Sequence, residues 1–208
     1  MPSPRWLDTA DDLARALIDA ALPVRFELAR TAEQLEEVFR LRYRVSVEKG
    51  WREPADLPDG LERDEYDDEN AAQIAGWDGP RLAATARVVY PVAGRPLPTE
   101  AAFDIVVEPS GRVVDTGRAI VAPEYRDGTH RVLGGLSASV WVAMTARNHR
   151  WAAVTATRKT LDFFEHLGFD ATVLGPPRMY WGEERYPARF SAPDPRLWSL
   201  TNDDSLSP

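Results

Sequence analysis

Between residues 62 and 118, charged side chains fall inside or beside runs that otherwise read as buried strand. Glu62-Arg63-Asp64-Glu65-Tyr66-Asp67 precedes a strand-like run carrying Arg87, and a second such run reads Val113-Val114-Asp115-Thr116-Gly117-Arg118. A charge inside a sheet is costly to bury unless it meets its opposite. Acids and arginines occur here in matched numbers, so the fold has to bring them together as an internal ion-pair constellation. That marks a site rather than plain core.

Composition narrows the classes. The chain has 208 residues, enough for one full hydrophobic core, and its 44% hydrophobic and 28% charged content is ordinary for a soluble protein. A net charge of -8 argues against a nucleic-acid binder, which needs a basic footprint. The absence of cysteine excludes disulfides, thiolate metal sites and cysteine nucleophiles. Three histidines without His-x3-His spacing argue against zinc, and no metal is expected. The acids of 62 to 69 have the oxygen ligands a hard cation wants, but Arg63 and Tyr66 interrupt them. Met1 to Trp6 lacks an apolar signal core, and no apolar run reaches about 18 residues. No membrane span and a cytoplasmic location are expected.

Periodicity predicts a helix over 8–21, a strand over 24–29, and a helix opened by the Thr31-Ala32-Glu33-Gln34 capping box. A proline-rich acidic loop at 50–70 leads to strands at 71–76 and 81–90 joined by Trp77-Asp78-Gly79-Pro80. A second loop, 91–110, holds Phe103, and a strand at 112–122 follows. Next come a helix from Thr129 to Arg147, a strand at 151–156, and a helix from Arg158 to Leu167 capped by Gly168. Strands at 169–174 and 179–190 close the pattern. The expectation is α/β: one domain over 1–193, a central mixed sheet flanked by helices, and a polar tail over 194–208.

The segment from Val121 to Arg131 has a chemical reading. A strand stops at Pro123, the chain turns over Gly128, and a helix opens among Arg126, Asp127, Thr129, His130 and Arg131. Free amides, a helix dipole and cations together bind a pyrophosphate. The same residues also read as a plain strand–turn–helix connection with tight packing, in which Gly134 and Gly135 admit a close neighbour.

Val121-x-Pro123-x-x-Arg126 before a helix, and Phe163-Phe164-Glu165-His166-Leu167-Gly168-Phe169 after it, resemble the Gcn5-related N-acetyltransferase superfamily. The resemblance implies acyl-coenzyme A bound by its pyrophosphate at that turn. It also implies a thioester lying between two splayed parallel strands, here 112–122 and 151–156. Phe164 stands where members often carry a tyrosine acid, and the usual second glycine of the turn is absent near Thr129 and His130.

A narrower resemblance, to acyl-homoserine-lactone synthases and N-acyl amino acid synthases, covers 35–118. It rests on Leu41-Arg42, Gly50-Trp51, Glu62-x-Asp64-x-x-Asp67, Arg87, the stretch from Pro91 to Phe103, and Asp115-Thr116-Gly117-Arg118. It implies acyl transfer from acyl-CoA or acyl carrier protein to a small amine. It places Asp115, Arg118 and Glu62 in the chemistry. Arg42, Trp51, Asp64, Asp67, Arg87 and Phe103 would position the acceptor. Asp115 replaces a glutamate, Ser46 replaces an aromatic, and the arginine-to-tryptophan spacing is one residue short. These departures point away from a homoserine-lactone product and toward another amine, amino-acid-like.

Acyl transfer to an amine needs a base for the ammonium proton, and a carboxylate such as Asp115 suits that task. Arg87 and Arg118 would position acids or grip an acceptor carboxylate. Asp115 and Arg118 differ by three positions, so they share a face only across a bulge, which Gly117 permits. The alternative is a purely structural salt-bridge scaffold. Small residues Ala138, Val142, Ala152 and Val154 would leave room for a donor tunnel. Arg40, Arg42, Arg44 and Lys49 read as a carrier-protein patch or a solvated face. Arg178, Arg185 and Arg189 read as donor-phosphate contacts or a solvated strand. Two rival functions are an acetyl-CoA acetyltransferase and a non-catalytic acyl-sensing module.

Overall fold

The computed structural model describes residues 5–166 and 169–191. The expected polar tail and the Gly168 cap lie outside that range. Helix α1 spans Arg5–Ala20, followed by β1 (Arg25–Leu28) and α2 (Ala32–Glu48). The capping box at the start of α2 is formed: Gln34 N donates to Thr31 Oγ1 at 3.2 Å, and Thr31 N donates to Gln34 Oε1 at 3.2 Å. Strands β2 (Ala71–Asp78) and β3 (Arg81–Val89) form a hairpin. β2 runs two residues further than expected while β3 starts where expected, leaving only Gly79 and Pro80 as the turn, with Gly79 at φ +57°.

The stretch expected as loop at 91–110 contains a short helix, α3 (Pro98–Phe103). Glu100 holds its start by accepting Leu97 N at 2.8 Å and Val107 N at 2.7 Å. Six residues are too few to display a helical period, and only Pro98 at the first helical position announces it. Then come β4 (Val113–Val121), α4 (Arg131–Thr145), β5 (Trp151–Ala156) and α5 (Arg158–His166). Helix α4 begins two residues later than predicted because His130 sits left-handed at φ +57°. The last expected strand is interrupted: β6 (Asp170–Val173) is followed by a β7 (Arg178–Tyr180) and β8 (Glu183–Ser191) hairpin. Trp181 and Gly182 make its tip at φ +54° and +68°, the positive φ values a two-residue hairpin turn requires.

The strands form one mixed 8-stranded sheet, ordered β1-β2-β3-β4-β5-β8-β6, with β7 on β8. Among the described residues only β4 and β5 pair in parallel, from Val113↔Trp151 to Thr116↔Val154. Beyond that point β4 continues to Val121 without β5, so the two strands splay.

Alternation along the strands assigns the faces. Ala72, Ile74, Ala84, Ala86, Val88 and Val114 pack under α4 and α1. Gln73, Ala75, Thr85, Arg87 and Asp115 therefore point to the opposite face, which α2 covers with Val38, Leu41 and Val45. The glycines of α4 serve packing: a Cβ on Gly135 would lie 2.6 Å from Ala21 Cβ and 2.6 Å from Phe26 Cε2.

Candidate active site

On the α2 face, six side chains close a ring of alternating charge. Arg42 donates through Nε to Glu62, and through Nη1 and Nη2 to Asp67 at 2.9 and 3.0 Å. Arg118 takes the other side of Glu62 at 3.1 Å and reaches Asp64 at 2.6 Å. Arg87 takes Asp64 bidentately and closes on Asp67 at 3.0 Å. Each arginine bridges two carboxylates, and each carboxylate two arginines. The ring carries no net charge, which makes its burial tolerable; Arg42 is 0% exposed and Glu62 2%. Burial pushes the Asp67 carboxyl up, but the hydrogen bonds and charges of Arg42 and Arg87 prevail and hold it well below the usual range. Asp64 behaves alike under Arg87 and Arg118. Burial lowers Arg118; burial pulls Arg87 down as well, but Asp64 and Asp67 prevail and raise it. These acids are thus engaged by guanidinium groups, as is Asp68 by Arg95.

Asp115 stands outside the ring. Its Oδ2 accepts Thr99 N at 2.7 Å, and it makes no ion pair among the described residues. Burial raises its carboxyl to about 6 against the pull of Thr99, Arg87 and Arg118. The arrangement depends on a β-bulge. Arg87 pairs with Gly117 and Thr85 with Ile120, so Ala86 alone faces Arg118 and Ala119. The residue in the left-handed region is not Gly117 but Arg118 itself, at φ +53°. Glu62, Asp64 and the Trp181 ring, 4.0 Å from its guanidinium, hold it there. The bulge turns Arg118 onto the face that Asp115 and Arg87 occupy, and all three line one pocket.

That pocket, about 80 Å³, is also bounded by Trp51, Tyr180, Trp181 and Arg185. On the α4 face a larger cavity of about 360 Å³ is walled by Leu136, Val140, Trp141, Met144, Ala152, Val154, Phe164 and Phe190. The two meet where β4 and β5 splay, and Thr116, Gly117, Arg118, Ala119 and Thr155 line both.

Several expected site residues lie elsewhere. Glu62, expected in the chemistry, has its oxygens taken by Arg42 and Arg118 and lines neither space. Arg42 and Asp67 are likewise buried in the ring. Phe103 supports the site indirectly, packing 6.3 Å from Tyr180. Of the tunnel residues, Ala152 and Val154 line the cavity; Ala138 packs toward α1, and Val142 is 46% exposed on α4's outer side. The basic patch disperses: Arg40 pairs with Glu36, Arg44 with Glu124 at 2.9 Å, and Lys49 lines the cavity.

The turn from Val121 to Arg131 is present with Gly128 at φ +80°, but acids occupy its donors. Asp127 accepts Thr129 N at 3.0 Å and Arg131 Nε at 3.1 Å, and Arg126 donates to Glu48 at 2.8 Å and to the Val121 carbonyl at 2.9 Å. His130 packs edge-on against Phe163. None of these turn residues lines the large cavity. Thr99, Thr155, Tyr180 and Trp181 were not anticipated. Only Trp181-Gly182 carried a signal, as a hairpin turn.

The sequence model of the N-acyl amino acid synthase FeeM family matches residues 37–189. Isovaleryl-homoserine lactone synthase of Bradyrhizobium diazoefficiens is 30% identical over 151 residues, 70% of this chain and 67% of that one. Among solved structures, the CoA-dependent acyl-homoserine lactone synthase BjaI, with SAM and isopentyl-CoA, superposes with a TM-score of 0.65 at 24% identity, covering 86% of this chain and 87% of the other. FeeM, an N-acyl amino acid synthase from uncultured soil microbes, gives 0.59 at 14% identity over 85% and 93%. The structural matches establish a shared fold, and the sequence matches go further: the chain belongs to the FeeM family of N-acyl amino acid synthases, acyltransferases on the Gcn5-related N-acetyltransferase fold.

Proposed function

We propose that this enzyme moves a medium- or long-chain acyl group from coenzyme A to the amine of a small amino-acid-like acceptor. The observation that carries the reading is the apolar 360 Å³ cavity meeting a charged pocket through the gap between β4 and β5. A cavity of about 150 Å³ holds a benzene, so this one takes far more than an acetyl group. The dispersed arginine patch favours coenzyme A over a carrier protein.

The acyl tail lies against α4, and the thioester carbonyl lies at the splay. Backbone amides of the Gly117–Ala119 edge face the developing oxyanion. The acceptor enters beside Trp51 and Trp181. Asp115 takes the amine proton, directly or through one water; its raised carboxyl suits a base near neutrality. The nitrogen–carbon bond forms, the carbon–sulfur bond breaks, and the thiolate leaves to take a proton from solvent, since Phe164 has none to give. The ring holds Arg87 and Arg118 still and neutralised, so that Asp115 faces a fixed field. Among the described residues no helix is long and apolar enough to cross a membrane. Acyl-CoA is a cytoplasmic metabolite, and we place the enzyme there.

The test is thiol release and product mass with acetyl-, hexanoyl- and dodecanoyl-CoA against a panel of amino acids and SAM. Faster release with the longer chains is expected. Preference for acetyl overturns the chain-length reading, and release with no pair overturns acyl transfer.

A further inference from the structure

Arg185 is a cation of the charged pocket that the mechanism leaves without a task. It lies on β8 just past the tip of the β7–β8 hairpin, and it lines both the apolar cavity and the charged pocket. Its Nη2 donates to Glu183 at 2.7 Å, and its guanidinium lies 5.1 Å from the centre of the Trp51 ring. Its Nε is buried and has no hydrogen-bond partner among the described residues. Leaving a charged donor buried and unmade is costly unless something arrives to accept it. Arg52 and Arg189 also have buried Nε atoms without a partner among the described residues, but neither side chain lines either space.

The charges lining the pocket are Arg87, Asp115, Arg118 and Arg185. Arg87 and Arg118 are each held by two carboxylates of the ring. Their charge is therefore already answered. Arg185 is held by one carboxylate, Glu183, through Nη2 alone and keeps its Nε unmade, so what remains to meet a ligand is the acid Asp115 and the Nε side of Arg185. An ammonium group and a carboxylate on one small molecule complement that pair.

Resting on the acyl-transfer reading above, we propose that Arg185 is the side chain that receives the carboxylate of the amino-acid acceptor. The carboxylate accepts from the side of the guanidinium, from Nε and a terminal nitrogen, the bidentate geometry arginine presents and lysine does not. The Trp51 ring, its centre 5.1 Å from that guanidinium, makes a cation–π contact with it. With its carboxylate held at the hairpin, the acceptor turns its nitrogen toward Asp115 and the splay. Arg185 is a positioning residue: it touches the acceptor and does no proton transfer.

The experiment compares the amino acids with their carboxamides, which keep the amine and side chain but lose the negative charge. The wild-type enzyme is assayed first, with dodecanoyl-CoA. The acid is expected to exceed its amide in kcat/KM by about 10- to 100-fold, the range for a hydrogen bond to a charged group. Arg185→Gln should collapse that ratio through KM for the acid, and Arg185→Lys should restore it only in part. Melting curves of both variants establish that they are folded; if Arg185→Gln is not, Arg185→Lys and the wild-type ratio decide. Equal use of acid and amide by the wild-type enzyme overturns the proposal and leaves acyl transfer standing. So does a variant that raises KM for dodecanoyl-CoA with the ratio intact, because Arg185 then serves the donor. Absence of thiol release with every acceptor removes both readings together.

Discussion

Asp115 is useful for the same reason that it is costly. Its folded carboxyl sits at about 6, against 3.8 when unburied, because the site excludes water without giving it an ion pair. The native state therefore binds more protons than the unfolded chain between those values. The contribution of Asp115 to stability is greatest below about pH 4 and falls as pH rises through 6. The difference amounts to about 3 kcal/mol at neutral pH. Asp64 and Asp67 work with the opposite sign: their carboxyls are depressed, so their contribution is present above the usual carboxylate range and lost on acidification. Asp115→Asn should therefore raise the urea midpoint at pH 8 more than at pH 5, while turnover falls by about 10² to 10⁴. In the wild-type enzyme kcat/KM should rise through a limb near pH 6 that the variant lacks. A variant equally active, with the limb intact, would remove Asp115 from the chemistry.

At the level of elements, α4 and β4 divide the work. The inner side of α4 shapes the acyl cavity, and Val140 lies on its wall. Val140→Trp should shift the preferred donor toward shorter chains, read from relative rates with hexanoyl- and dodecanoyl-CoA. The other side of α4 is fitted to α1 and β1. Gly135→Ala gains about 1 kcal/mol of helix propensity but drives a methyl into Ala21 and Phe26, so a net loss of about 1–2 kcal/mol in denaturant unfolding is expected. The longer elements were legible in the sequence because each has a period, a cap or a stopping proline. The capping box at Thr31 and the strand at 151–156 are examples. What was not legible lacks any local signature. Helix α3 is shorter than two turns, yet its Thr99 holds Asp115. The bulge at Arg118 arises from pairing with β3 and from the Glu62 and Asp64 contacts, all distant in sequence. The ring's members were visible as a charge pattern. Which of them would be saturated, and which left to act, depended on a geometry that spacing does not encode. Arg185 looked like one of three strand arginines until the hairpin tip placed it.

Across the whole molecule, the ring ties α2, the acidic loop, β3 and β4 into one unit. Because it is buried and closed, losing one member strands two partners. Arg42→Met should cost about 3–5 kcal/mol, measured by urea unfolding, and should raise the pH of acid unfolding. The Asp67 carboxyl would then lose one of the two cations that keep it ionised. The late hairpin is built differently. β7 joins the sheet only through β8, its tip is two residues, and its side chains reach the pocket from outside the ring. On the proposed reading, the base that makes the amide bond lies before residue 120 and the arginine that receives the acceptor's carboxylate lies after 177, in separate stretches of the gene. A graft of a relative's hairpin should therefore carry that relative's acceptor preference with it.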